Sequence, residues 1–142
     1  MPQTRQHLSE PKRILIVEDH ELNMKLLNDL LEAHGYDILQ AQDGSAAIQL
    51  ARSYRPDLIL MDVQLPDISG LEAAMRLKTD DRTRDIPIIA VTAFAMVGDE
   101  RRTLDAGCDA YVPKPIRIHE FLRTIERFLY GAEEAGSDRE PS

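Results

Sequence analysis

The stretch PDLILMDVQLP, residues 56–66, poses the question that decides the fold. An unbroken apolar run leads into Asp62, and Pro66 follows four residues later. Such a run favours burial, whereas an isolated buried carboxylate is unstable unless a partner compensates its charge. Either the run ends at the surface, where Asp62 starts a turn, or a site at its end requires a negative charge.

Short apolar runs like this one recur along the chain and predict β-strands. They lie at residues 13–17, 36–41, 57–61, 86–91 and 109–112. The runs RILIV, DLILM and IPIIAV are apolar at almost every position, which is typical of central strands covered on both faces. Three of the five predicted strands are therefore expected in the middle of a sheet.

The segments between these runs have the apolar spacing of amphipathic helices. Gly35 is a predicted C-cap for the first, Asp43 an N-cap for the second, and Ser69 with Glu72 a capping box for the third. The fourth, over residues 97–106, has few apolar residues to bury and predicts a loosely held helix. The apolar positions that define the other helices are Leu26, Leu27, Leu30 and Leu31; Ala47, Ile48 and Ala51; Leu71, Ala74 and Met75; and Ile118, Phe121, Leu122, Ile125, Phe128 and Leu129.

Alternation of five strands with five helices predicts an α/β fold with a parallel sheet and right-handed crossovers. In such sheets, ligand sites form beyond the carboxyl ends of the strands. We expect residues 1–11 to form a flexible leader, residues 12–130 one domain, and residues 131–142 a disordered acidic tail.

The overall composition excludes several classes of protein. The 142 residues suffice for one domain with its own core, and a net charge of -8 argues against binding to nucleic acid or anionic membranes. No apolar run approaches the roughly 20 residues that span a bilayer, and the first residues lack the apolar core of a signal peptide. Cys108 is the single cysteine, which excludes an internal disulfide and a CxxC site. We therefore expect a cytoplasmic protein.

Polar residues follow four of the five predicted strands. Glu18 and Asp19 follow the first, Asp62 the third, Thr92 the fourth and Lys114 the fifth. Three neighbouring carboxylates repel one another, so one must hold a proton or a cation must join them, and oxygen ligands with room for water favour Mg²⁺. A carboxylate beside Mg²⁺ can attack a phosphoryl group and become an aspartyl phosphate. The ammonium and hydroxyl groups of this set would then contact the phosphoryl oxygens.

Each of these residues also has a purely structural interpretation. Glu18 and Asp19 fit a helix N-cap, Asp62 fits a turn, Thr92 fits a strand end, and Lys114 fits a solvated surface. These interpretations do not explain why the polar residues all fall at strand ends. The sequence therefore favours a phosphoryl-transfer site, and it leaves the Lys114–Pro115 peptide bond open to the cis or the trans isomer.

Over about residues 12–130 the chain resembles the receiver domain of bacterial two-component response regulators. The resemblance rests on the strings ILIVED, PDLILMD and PKP and on the ordered set Glu18-Asp19, Asp62, Thr92-Ala93 and Lys114-Pro115. It implies a flavodoxin-like (CheY-like), doubly wound parallel sheet of five strands in the order 2-1-3-4-5, with five helices. The segments EDHELNMKLLNDLLEAHGY, PDLILMDVQLPDISGLE and VTAFAMVGDE further resemble single-domain members that regulate the cell cycle.

The resemblance also implies a role for each residue of the site. Asp62 would accept the phosphoryl group and would also be a ligand of Mg²⁺. Asp19 would bind Mg²⁺ directly, with Glu18 as a direct or water-mediated ligand. The remaining roles are the Gln64 backbone carbonyl as a metal ligand, phosphoryl contacts from Thr92, Ala93 and Lys114, a switch pair of Thr92 and Tyr111, and tuning of the phosphate lifetime by Gln64 and Phe94. His20 stands where relatives often have Asn, and both an exposed helix start and an influence on the pocket fit it.

The function that the resemblance implies is a phosphorylation switch. A sensor histidine kinase or a phosphotransfer protein would phosphorylate Asp62, and the face of residues 94–118 would then change its protein contacts, without nucleic acid or membrane insertion. Because the chain ends soon after the last helix, we expect no output domain. A Mg²⁺-dependent phosphohydrolase of the haloacid dehalogenase type is disfavoured because its second acid would fall at Gln64. A binding module without phosphorylation is disfavoured because the site is complete.

Overall fold

The computed structural model describes residues 11–92 and 99–131 of the chain, without the side chains of residues 99 and 100. Strands and helices alternate throughout these ranges. The strands are β1 (Arg13–Val17), β2 (Asp37–Ala41), β3 (Leu58–Asp62), β4 (Ile88–Thr92) and β5 (Ala110–Pro113). The helices are α1 (Glu21–Ala33), α2 (Gly44–Tyr54), α3 (Gly70–Lys78), α4 (Asp99–Asp105) and α5 (Ile118–Tyr130). The predicted leader and tail fall outside the described residues, apart from Pro11 and Gly131.

The strands form one parallel sheet in the order β2-β1-β3-β4-β5. This arrangement confirms the doubly wound, CheY-like fold that the resemblance implies. The strand order reverses between β1 and β3, so a crevice opens beyond their carboxyl ends. The register pairs Val17 with Met61, Asp62 with Val91 and Thr92 with Pro113. The ends of β1, β3, β4 and β5 therefore meet along one edge.

Each face of the sheet carries its own apolar layer, because successive side chains of the central strands point to opposite faces and both faces are buried. Leu15, Ile59 and Ile88 face the cluster formed with α2 and α3. Ile14 and Leu58 face the opposite cluster, formed with α1 and α5. The backbone of β3 is thus clamped from both sides, and this fixes the position of Asp62 at its end.

The predicted apolar faces of the helices include three residues that the structure exposes. The exposed fractions are 59% for Leu26, 53% for Met75 and 54% for Ile118. On α1, the helical spacing of Met24 with Leu27 and Leu31 defines the buried face instead. The sequence alone does not distinguish the edge of an apolar stripe from its centre, so the predicted burial of these residues is wrong.

The predicted caps of α2 and α3 are present. The Asp43 carboxylate accepts a hydrogen bond from the Ala46 N–H, and the Ser69 hydroxyl accepts one from the Glu72 N–H. Glu72 does not close the box from its side, because its carboxylate pairs with Arg76 at 2.7 Å. Each cap sets the start of a helix that follows the site edge of the sheet.

Gly70 is where α3 touches the strand that carries Asp62. The Gly70 N–H donates a hydrogen bond of 2.8 Å to the carbonyl oxygen of Val63. A β-carbon at this position would overlap the carbonyl oxygen of Asp62 and lie 2.8 Å from the α-carbon of Val63. Only glycine allows this approach of helix to backbone.

We predict that Gly70→Ala lowers the free energy of unfolding by about 2–4 kcal/mol, because the backbone around Asp62 must move to admit the methyl group. Gly35→Ala is the control: its φ of 90° is unfavourable for alanine, but nothing lies within 4 Å of the new carbon. The free energy of unfolding of that variant should fall by only about 1 kcal/mol. Urea denaturation measures both, and equal losses would contradict the crowding at Gly70.

Candidate phosphoacceptor site

The carboxyl ends of β1, β3 and β5 bring three charged side chains together. Glu18 follows β1, Asp62 ends β3 and Lys114 follows β5. The Lys114 ammonium nitrogen lies 3.4 Å from Glu18 Oε1 and 3.6 Å from Asp62 Oδ2. Glu18 is only 2% exposed and Asp62 only 5% exposed. The residues that the sequence separates by up to 96 positions thus form one buried charge cluster.

Asp19 and His20 border this cluster on its open side. The His20 N–H donates a hydrogen bond of 3.1 Å to Glu18 Oε2, and its ring nitrogen Nδ1 lies 3.2 Å from the same oxygen. Asp19 Oδ1 is buried and has no hydrogen-bond partner among residues 11–92 and 99–131. One ligand atom each from Glu18, Asp19, His20 and Asp62 lies within 4.8 Å of the others.

The two oxygens of Asp62 have different surroundings. Oδ1 accepts a hydrogen bond of 3.0 Å from the Gln64 N–H, which holds the carboxylate in place. Oδ2 faces the Lys114 ammonium. The Gln64 side chain is exposed, and its backbone carbonyl as a metal ligand stays a prediction.

The other predicted site residues divide between the described and the undescribed parts of the chain. Thr92 ends β4 buried at 3% exposure, and its carbonyl oxygen accepts a hydrogen bond of 2.8 Å from the Lys114 N–H. Tyr111 lies on β5 and lines a cavity of about 300 Å³ together with Pro115 and Phe121. The Lys114–Pro115 peptide bond is cis. Ala93 and Phe94 fall outside the described residues.

The pKa values of the two buried carboxylates are shifted in opposite directions. Burial, opposed by the Gln64 hydrogen bond but reinforced by the negative charge of Glu18, raises the pKa of Asp62 from 3.8 to about 6. Burial also acts to raise the pKa of Glu18, but the His20 backbone hydrogen bond and the Lys114 charge outweigh it, so that this pKa is lowered. As the pH rises, Glu18 therefore loses its proton before Asp62 does.

A divalent cation would resolve this conflict of charges. Three carboxylates, of which Asp19 has an oxygen without a hydrogen bond among the described residues, offer the oxygen ligands that Mg²⁺ prefers. The charge of an ion there would favour ionised Asp62. The donor set of Glu18, Asp19 and Asp62 therefore fits magnesium.

Comparison with known proteins identifies the family. The family model described as "Response regulator receiver domain" matches residues 14–126. The chain belongs to this family. The polar-differentiation response regulator DivK of Brucella anthropi is 57% identical over 119 residues, which cover 84% of this chain and 97% of that protein. DivK of Brucella ovis is 55% identical over 118 residues, which cover 83% of this chain and 96% of that protein.

Solved receiver domains share the fold. The receiver domain of the Pseudomonas aeruginosa sensor histidine kinase PA1611, solved with a magnesium ion coordinated in its active-site cleft, is 35% identical with a TM-score of 0.79, over 84% of this chain and 98% of that one. A second match is the Saccharomyces cerevisiae structure of the Ssk1 receiver domain bound to the histidine phosphotransfer protein Ypd1. It is 29% identical with a TM-score of 0.78, over 84% of this chain and 90% of that one. The chain is therefore a response regulator of the two-component phosphorelay class.

Sequence reasoning missed one part of the site's support. Asp67, in the loop after β3, accepts hydrogen bonds from the Gly44 N–H at 2.8 Å and from the Ser45 N–H and hydroxyl at 3.0 and 2.7 Å. This clamp ties the loop behind Asp62 to the start of α2. The contact joins a loop to a helix start more than 20 residues away in the sequence, and no local sequence pattern predicts it.

No helix among the described residues is long and apolar enough to cross a membrane.

We predict that Asp62→Asn stabilises the cation-free protein at neutral pH. Because the pKa of Asp62 is raised on folding, the folded chain binds the proton more tightly, and stability falls as the pH rises from about 4 to about 6. In EDTA at pH 7.5 the free energy of unfolding of the variant should exceed that of wild type by about 2 kcal/mol. At pH 4 the difference should be much smaller. Urea denaturation at both pH values tests this, and a variant less stable than wild type at pH 7.5 would contradict it.

Proposed function

We propose that Asp62 is the residue on which this response regulator becomes phosphorylated. The chain itself catalyses both the transfer of the phosphoryl group to Asp62 and its later hydrolysis. The observation that carries the proposal is the setting of the Asp62 carboxylate. One oxygen is held by the Gln64 N–H, and the other faces Lys114 beside two further carboxylates. An oriented nucleophile with a cation-binding surround is what attack on phosphorus requires.

The residues of the chain divide the work of transfer. Asp62 Oδ2 attacks the phosphorus of a phosphohistidine, so that a P–O bond forms as the P–N bond breaks and the imidazole leaves. Glu18, Asp19 and Asp62, with the Gln64 carbonyl, would hold Mg²⁺, which would neutralise charge on the phosphoryl oxygens. Lys114 adds a positive charge to the same oxygens, and Thr92 and Ala93 contribute hydrogen bonds.

The switch that follows phosphorylation is assigned to Thr92 and Tyr111. Thr92 moves towards the new phosphoryl group, and the Tyr111 ring shifts within the space beside it, which alters the face of residues 94–118. The cavity of about 300 Å³ at Tyr111 supports this assignment, because it leaves room for the ring beside α5. Phe94 and Gln64 would tune the lifetime of the phosphate.

A groove beside the site fits the protein that donates the phosphoryl group. Its volume is about 420 Å³, and Glu18 and Lys114 of the site are among the residues that line it. The apolar wall is formed by Leu26, Leu27, Leu30, Ile116 and Ile118. A phosphohistidine that reaches Asp62 must pass this rim, so the phosphodonor covers the groove and buries the exposed leucine and isoleucine side chains.

The biological setting is inferred from the relatives. Polar-differentiation regulators named DivK share more than half of their residues with this chain, so we assign it to cell-cycle or cell-division control. A histidine kinase or phosphotransfer protein is the donor, since a solved relative is bound to a histidine phosphotransfer protein. The buried free thiol of Cys108 suits a reducing cytoplasm, where we place the protein.

The proposal predicts that a small acyl phosphate, such as acetyl phosphate, adds one phosphoryl group to the protein only when Mg²⁺ is present. Intact mass measurement detects the product. Asp62→Asn should accept none, whereas Asp57→Asn, just before the start of β3, should be labelled like wild type. Label on Asp62→Asn would exclude Asp62 as the acceptor, and rapid turnover of phosphate esters would favour the hydrolase.

The groove predicts a second, separable effect. Leu26→Ala should slow transfer from a phosphorylated histidine kinase domain about tenfold, because an apolar contact of the docked donor is lost. Labelling by acetyl phosphate should be unchanged, since this donor needs no docking surface. Met75→Ala removes an apolar side chain of similar exposure on α3 and is the control. Equal rates for both variants would show that the donor docks elsewhere.

A further inference from the structure

His20 brings a nitrogen atom to the open side of the carboxylate cluster. Its Nδ1 lies 3.2 Å from Glu18 Oε2 and 3.3 Å from Asp19 Oδ1. The imidazole is 71% exposed, whereas Glu18 is 2% exposed, so the ring lies on the solvent side of this carboxylate. An ion that enters from solvent therefore meets this nitrogen together with the two carboxylates.

The two distances from His20 Nδ1 are those of neighbouring metal ligands. Two ligand atoms at right angles, each about 2.1 Å from one ion, lie about 3 Å apart. The 3.2 and 3.3 Å separations are close to this value, so the ring needs only a small adjustment to share an ion with both carboxylates. Asp19 Oδ1 has a further reason to bind, since it lacks a hydrogen bond among the described residues.

We propose that His20 Nδ1 is a ligand for divalent first-row transition ions, held together with Glu18, Asp19 and Asp62. The inference rests on the cation site of the proposed function and adds a selectivity to it. Mg²⁺ prefers oxygen ligands, whereas an imidazole suits Co²⁺, Ni²⁺ and Zn²⁺. With His20 in place, the site takes these ions in preference to Mg²⁺, and they compete for the same carboxylates.

The hydrogen-bonding state of the ring is compatible with this role. Without an ion, an Nδ1–H donates to Glu18 Oε2 across the 3.2 Å contact. When an ion binds, the ring adopts the other neutral tautomer, with its proton on Nε2 and the Nδ1 lone pair on the metal. The His20 N–H remains bonded to Glu18 Oε2 at 3.1 Å, so the backbone that carries the ring stays in place.

Isothermal titration of the full chain with NiCl₂ and with MgCl₂ tests the proposal. His20→Asn should weaken Ni²⁺ binding by about tenfold or more and change Mg²⁺ binding by less than about twofold. His34→Asn, at the far end of α1, is the matched control and should bind both ions like wild type. Asp19→Asn should weaken both ions, because its carboxylate serves either.

A spectroscopic readout identifies the ligand directly. In a ¹⁵N-labelled protein, Zn²⁺ should shift the His20 Nδ1 resonance strongly and leave the His34 ring unchanged. An unchanged Ni²⁺ affinity in His20→Asn, or a Zn²⁺ response confined to other histidines, would overturn the inference. If wild type binds Mg²⁺ but its Ni²⁺ affinity ignores His20, only this inference fails. If Mg²⁺ does not bind and Asp19→Asn has no effect, the cation site of the proposed function fails.

Discussion

The structure depends on two carboxylates that are buried side by side and share one neighbouring ammonium group. Glu18 and Asp62 are almost fully buried. The Lys114 ammonium lies 3.4 Å from one oxygen of Glu18 and 3.6 Å from one oxygen of Asp62. Two negative charges and one positive charge leave a net negative charge in a poorly solvated place, which raises the pKa of Asp62. The protein therefore favours any species that brings positive charge to this position.

The remaining architecture holds these carboxylates at their positions. Apolar layers on both faces of the sheet fix β1 and β3, and the parallel register places their ends next to each other. Gly70 lets α3 press against the Asp62 backbone, and Asp67 ties the following loop to α2. With the backbone held in this way, the charges cannot relieve their repulsion by moving apart.

The fold was predictable from the sequence because local patterns specify it, and the candidate site residues were inferred from their positions at the ends of the predicted strands. Runs such as RILIV and DLILM identify buried parallel strands, and the topology of such sheets places Glu18, Asp62 and Lys114 at one edge. Features that depend on packing between distant segments were not predictable. The exposure of Leu26 depends on how α1 is oriented against the sheet. The Asp67 clamp depends on a loop and the start of α2, which meet only in the folded chain. The contact of the His20 ring with Glu18 and Asp19 is likewise set by the side-chain rotamer.

Chemical mapping of the phosphorylated residue tests the central assignment most directly. An acyl phosphate on aspartate is reduced by borohydride to homoserine, so that the modified position can be located by peptide mass spectrometry. Placement of the phosphate on Asp62 predicts homoserine at residue 62 and nowhere else. Homoserine from Asp19, a reduced Glu18 or an unmodified Asp62 in a phosphorylated sample would contradict it.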